Sequence, residues 1–147
     1  MARHYTKIVA WQRAHELTVA VYRLTQAFPR AEMFGLTSQL RRASTSVAAN
    51  IVEGSARNSK RDYLHFLNIA EASLRETEYL LLLARELDYM SEAQHQQMTG
   101  FVNGAFGPLH GLQRAVQKET GITKTLVALL ASAIAIAIGR HAVAGVG

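Results

Sequence analysis

No cysteine occurs in the 147 residues, and that absence removes disulfides, thiolate metal sites and cysteine nucleophiles together. Such a composition fits a reducing compartment. Prolines number only two, Pro29 and Pro108, so few positions forbid helix. Low-complexity tracts are missing, and the length suits one packed domain better than two. The opening residues carry Arg3, His4 and Lys7 without a continuous apolar run. That is not a secretory signal, and a cytoplasmic protein is the expectation.

Signatures of chemistry are missing as well. The serines at 44, 46, 55 and 59 lie outside any Gly-x-Ser-x-Gly elbow, and no Gly-x-x-x-x-Gly-Lys phosphate loop occurs. Glu92 and His95 have the spacing of one Glu-x-x-His element of a di-iron bundle, but no second Glu-x-x-His occurs: His15 and His110 have no acidic residue three positions earlier, and His65 has only the shorter Asp62 there. A carboxylate-bridged site needs a second such element. The expectation is a protein that is not an enzyme and uses neither metal nor cofactor.

What the chain does have is helical periodicity. Ile8, Trp11, Ala14, Leu17, Val21, Leu24 and Phe28 recur at spacings of three and four and predict a first helix that Pro29 stops. Leu36, Leu40, Ala43, Val47, Ile51 and Gly54 form a second stripe, flanked by small side chains that suit close helix approach. Ser59 with Asp62 predicts a capped third helix from Lys60 to about Leu87, with two apolar seams. Ser91 with Gln94 caps a fourth, whose stripe is Met98, Phe101, Ala105, Leu109, Leu112 and Val116. Gly100, Gly104, Gly107, Gly111 and Pro108 predict a kink or break near Gly107. The glycine pairs read either as close-approach sites or as marks of a poorly formed last helix.

The fold expectation is all-α: an antiparallel up-down four-helix bundle over residues 1–120, followed by an apolar extension at 121–147. Leu126 to Ile138 is uncharged and rich in Ala, Leu and Ile, with an Ala/Ile alternation from Ala133 to Ile138. As a helix it spans about 20 Å, short of a bilayer core. Burial between subunits is therefore expected for it, rather than a membrane span.

Net charge is +5, and it is unevenly spread. Residues 1–62 hold ten basic and four acidic side chains, whereas residues 63–100 hold two and six. A basic front can grip a polyanion or meet an acidic surface on an identical subunit. The candidates for phosphate contact are Arg13, Arg23, Arg41, Arg42, Arg57, Lys60 and Arg61. Against them stands the plain alternative of a solvated face, since no aromatic residues interleave with these basic ones in sequence.

The run from Phe28 to Leu82, with WQRAHEL at Trp11 to Leu17, carries Phe-Pro, Phe-Gly-Leu, Gln-x-Arg-Arg-Ala, Asn-Ile-x-Glu-Gly and Phe-Leu-x-Ile-Ala in order. It resembles the four-helix bundle proteins encoded in intervening sequences of 23S ribosomal RNA genes, related to the accessory protein of diversity-generating retroelements. The resemblance covers Ile8 to about Lys118. It implies a pentameric ring of four-helix protomers in bacteria, no catalytic residue, and a basic surface for RNA or DNA and for a reverse transcriptase. Gln39, Arg41 and Arg42 sit on the matching motif of helix two, and Asn50, Glu53 and Gly54 on its end. The resemblance leaves function chiefly to the arginines and gives Gln39, Asn50, Glu53 and Gly54 a structural role, with Asn50 and Glu53 fixing the turn into helix three or bonding between subunits. The extension lies outside the family pattern.

Overall fold

The computed structural model describes residues 4–143, except the side chains of 120, 122–124 and 133–143. Among the described residues the chain is all-α, with four long helices: α1 (Val9–Leu24), α2 (Leu36–Ser55), α3 (Lys60–Glu86) and α4 (Glu92–Val143). Short 3-10 turns occupy Tyr5–Lys7, Thr25–Ala27 and Arg30–Glu32. The first helix tightens to 3-10 geometry at Thr25, before Pro29 is reached. There the buried Thr25 hydroxyl donates back to the Val21 carbonyl.

Polar side chains set the ends of these helices. Asp62 N–H donates to Ser59 Oγ at 3.2 Å, starting α3 as expected. At α4 the box is reciprocal: Gln94 N–H donates to Ser91 Oγ at 3.2 Å and Ser91 N–H to Gln94 Oε1 at 2.8 Å. Helix α3 ends on Asp88, held at φ 58°, with Tyr89 N–H on the Ala84 carbonyl and Asp88 N–H on that of Arg85. This is a Schellman closure in which aspartate takes the place usually given to glycine. Glu32 joins two connections at one end of the bundle, accepting from Leu36 N–H at the start of α2 and from the Tyr89 hydroxyl after α3.

Every helix contributes to one core. Leu17, Leu40, Ile51, Leu67, Leu74, Leu81 and Leu109 are almost completely buried, each worth about 1.5–3 kcal/mol of transfer free energy. Helix α2 packs on α1 and α3, and α4 closes the square by packing on both α3 and α1. Cross-helix pairs between α3 and α4 run in reverse order: Lys60 with Glu119, Glu71 with His110, and Arg85 with Glu92.

Small side chains let α2 approach its neighbours closely. Thr18 Oγ1 of α1 donates to the Ser44 carbonyl of α2 at 2.9 Å, a side-chain bond onto the backbone of another helix. On the opposite flank Ser46 and Ser73 share a 2.9 Å hydrogen bond between α2 and α3. Gly54 is buried where α2 meets the start of α3. A Cβ there would lie 2.8 Å from Tyr63 Cδ2 and 3.0 Å from Phe66 Cβ.

Helix α4 departs from expectation. Of the kink or break expected near Gly107, the break is absent: the helix runs unbroken through Pro108 and past Thr120, and the change of composition does not interrupt it either. The physical reason lies in what proline removes. Its ring forfeits only the bond to the Gly104 carbonyl, Gly104 is exposed to water, and packing on α1 and α3 holds the flanking turns. Nor are the glycines close-approach sites within the chain, since a Cβ at Gly100, Gly104, Gly107 or Gly111 meets nothing within 4 Å.

The 52 residues of α4 span about 78 Å. Glu119 pairs with Lys60, the first residue of α3, at 2.6 Å, so the rest of α4 runs past the bundle. Leu126, Val127, Leu129 and Leu130 are 55–63 % exposed there. The Ala133 to Ile138 alternation lies outside the residues whose side chains are described. Among the described residues, no helix is long and apolar enough to cross a membrane.

A polar network joins α3 to α4. Gln113 Nε2 donates to Glu71 Oε2 at 2.9 Å and to Asn68 Oδ1 at 3.2 Å, while His110 Nε2 meets Glu71 Oε1 at 3.0 Å. The hydrogen bond from Gln113, followed by that from His110, holds the Glu71 carboxyl below its usual range. A depressed carboxyl contributes stability above its unfolded pKa of about 4.5, and that contribution is lost as pH falls through the lower folded value. Thermal melts between pH 6 and 3 should therefore show a smaller acid loss for Glu71→Gln than for wild type. Parallel curves would assign acid sensitivity elsewhere.

Candidate nucleic-acid interface

The seven basic candidates do not form one cluster. Arg23, Arg41 and Arg42 lie toward the end where α1 leaves and α2 begins, and Arg57, Lys60 and Arg61 surround the turn from α2 to α3. Arg42 and Arg57 are separated by about 22 Å of helix rise. Arg13 is on the α4 side of α1, beside an open groove with Gln97, Gly100 and Phe101.

Their partners sort them further. Arg13 pairs with Glu16 at 2.8 Å, Lys60 with Glu119, and Arg57 with Glu53 one turn back. Arg41 is half-buried, its Nε donating to Thr25 Oγ1 at 2.8 Å with its guanidinium over the Tyr22 ring at 4.8 Å. Arg41 thus helps fasten α2 to the end of α1. Among the described residues Arg23, Arg42 and Arg61 are exposed and make no ion pair.

The residues given a structural role also separate. Asn50 Nδ2 donates to the Ser46 carbonyl at 2.8 Å and to Ser46 Oγ at 3.0 Å, and Ser46 continues to Ser73. Within the chain Asn50 thus ties mid-helix α2 to α3 instead of fixing the turn. Glu53 holds Arg57 at the end of α2, and Gly54 supplies the close approach. Gln39 lines an open groove of about 700 Å³ on the outer face of α2, with Tyr22, Arg42, Ala43, Thr45, Ser46, Ala49 and Glu76.

Aromatic rings missing from the basic run in sequence are present beside it in space. Tyr22 of α1 lies under Arg41 and shares the groove with Arg42, and Phe66 of α3 lies under Arg57 at 4.5 Å. Further along α1, Trp11 stacks on His15 with centroids 5.0 Å apart and planes 10° from parallel, and Tyr5 meets Trp11 edge-on. The sequence did hold a signal for these, because Trp11, His15 and Tyr22 follow one another at spacings of four and seven. That spacing puts them on one flank of a helix.

A family model described as 23S rRNA-intervening sequence protein matches residues 6–105. The chain belongs to this family. The match ends short of Lys118, within α4, and leaves the projecting segment outside it. A similar solved structure has a TM-score of 0.66 and 26 % identity, covering 71 % of this chain and 98 % of its own. It is a Bacteroides thetaiotaomicron protein described as of unknown function, from the S23 ribosomal protein family. No curated protein matches the chain.

Among the described residues no group of three His, Cys, Asp or Glu side chains could hold a metal ion. The arrangement offers cations, hydrogen-bonding side chains and exposed rings on a rigid helical frame. Those are the elements of a polyanion-binding surface.

Proposed function

We propose that this 23S rRNA-intervening sequence protein is a non-enzymatic, homo-oligomeric nucleic-acid-binding accessory protein of the cytoplasm. Its protomer is an up-down four-helix bundle, a reading supported by the reversed order of the α3–α4 pairs. The observation that carries the binding role is the set of exposed arginines at 23, 42 and 61 on the basic first half, which make no ion pair among the described residues. Phosphate contacts made by such groups release counterions, so affinity should fall linearly on a log–log plot against salt. Fluorescence anisotropy with labelled RNA and DNA at about 50 mM salt tests it; no binding to either rejects it.

A second reading, self-assembly without nucleic acid, is favoured by the four exposed apolar side chains from Leu126 to Leu130. An apolar helix without a partner is covered by some other surface in solution. Pentameric rings of the bundle are the assembly proposed from the resemblance, with the projecting part of α4 as an added contact. Truncation after Gly121 should lower the mass measured by light scattering if that contact operates. An unchanged mass would leave assembly to the bundle alone.

A further inference from the structure

We propose that the outer face of α2, where it meets Tyr22 of α1, takes single-stranded nucleic acid, with bases stacked on aromatic side chains of α1 and phosphates directed to Arg42. The inference rests on the nucleic-acid reading above and narrows its ligand. Tyr22 is 45 % exposed at the groove, with Arg41 over its ring at 4.8 Å. Arg42 lines the same groove without an ion pair among the described residues, and Gln39 and Thr45 add exposed hydrogen-bonding groups. Glu76 lines the groove from α3 and disfavours phosphate there, which leaves Arg42 as its cationic edge.

Along the same flank of α1, His15 is exposed and already stacked on Trp11. His15 and Tyr22 are about 10 Å apart by helix rise, so they offer separate ring faces along one strand. Stacking requires bases whose faces are free, and it is tolerant of sequence because every base has a π-face. A duplex keeps those faces inside its own stack and presents chiefly phosphates and groove edges. Exposed rings beside an unpaired arginine therefore favour the single strand.

The test compares a labelled 20-nucleotide oligouridine with an RNA duplex of the same length, by anisotropy at several salt concentrations. Wild type should bind the single strand more tightly. Tyr22→Ala should weaken that binding about fivefold or more, leaving duplex binding and the salt slope unchanged. Tyr22→Phe, which keeps the ring, should bind as wild type does. Arg42→Ala should instead lower the slope by about one. Equal affinity for duplex and single strand, or a Tyr22→Ala protein that binds like wild type, overturns the inference while leaving nucleic-acid binding intact. Failure to bind either form removes both.

Discussion

Replacing Gly54 with valine should lower the melting temperature by about 5–10 °C, the shift expected for about 2–3 kcal/mol in a chain of this length. The cost is steric. A Cβ at this position falls 2.8 Å from the Tyr63 ring and 3.0 Å from Phe66 Cβ, and the latter cannot move without the backbone of α3. Valine adds two methyl groups to that overlap. Gly54→Ala should be milder, because it adds only the Cβ and the last turn of α2 regains part of the up to about 1 kcal/mol that glycine costs within a helix. A valine variant that melts with wild type would show that α2 and α3 do not approach so closely. Circular dichroism melts of the three proteins suffice.

That close approach was legible in the sequence only as a cluster of small residues near Gly54. Helix starts were plainer, since Ser59 and Asp62, or Ser91 and Gln94, carry their hydrogen-bonding partners within four residues. The end of α3 was less so: a left-handed Asp88 in place of glycine breaks the usual sign of a helix stop. Helix α4 misled most, because Pro108 and four glycines signal a break through intrinsic propensity. Contacts with α1 and α3 override that preference, and they come from residues distant in the chain. The interface followed the same division. Basic residues could be counted, but which were already paired depended on Glu16, Glu53 and Glu119, and only Glu16 and Glu53 lie at helical spacing. Tyr22 meets Arg41 and shares a groove with Arg42 from the neighbouring helix, where a scan for aromatic residues within the basic run does not find it.

Charge reversal at Arg23, Arg42 and Arg61 together should reduce affinity for RNA about 100-fold or more at low salt. Each reversal removes one phosphate contact and adds a repulsion, and six to ten such contacts account for changes of about 10³–10⁵ between 50 and 200 mM salt. Stability should stay within about 0.5 kcal/mol of wild type for each change, since these side chains are exposed and make no ion pair among the described residues. Reversal of Arg13 should have a smaller effect on binding. Its guanidinium is already neutralised by Glu16, an exposed pair worth at most about 1 kcal/mol to the fold. The contrast separates specific contacts from a general dependence on net charge. If equal numbers of reversals weakened binding equally wherever they were placed, the paired and unpaired arginines would be equivalent and the assignment wrong.

The most direct measurement is the affinity for RNA as a function of salt, wild type beside the triple Arg23→Glu, Arg42→Glu, Arg61→Glu variant. The predicted result is a linear log–log decline for wild type, and a shallower slope by about two to three with much weaker binding for the variant. Salt-independent binding, identical slopes, or no wild-type binding at 50 mM would contradict a function carried by these arginines.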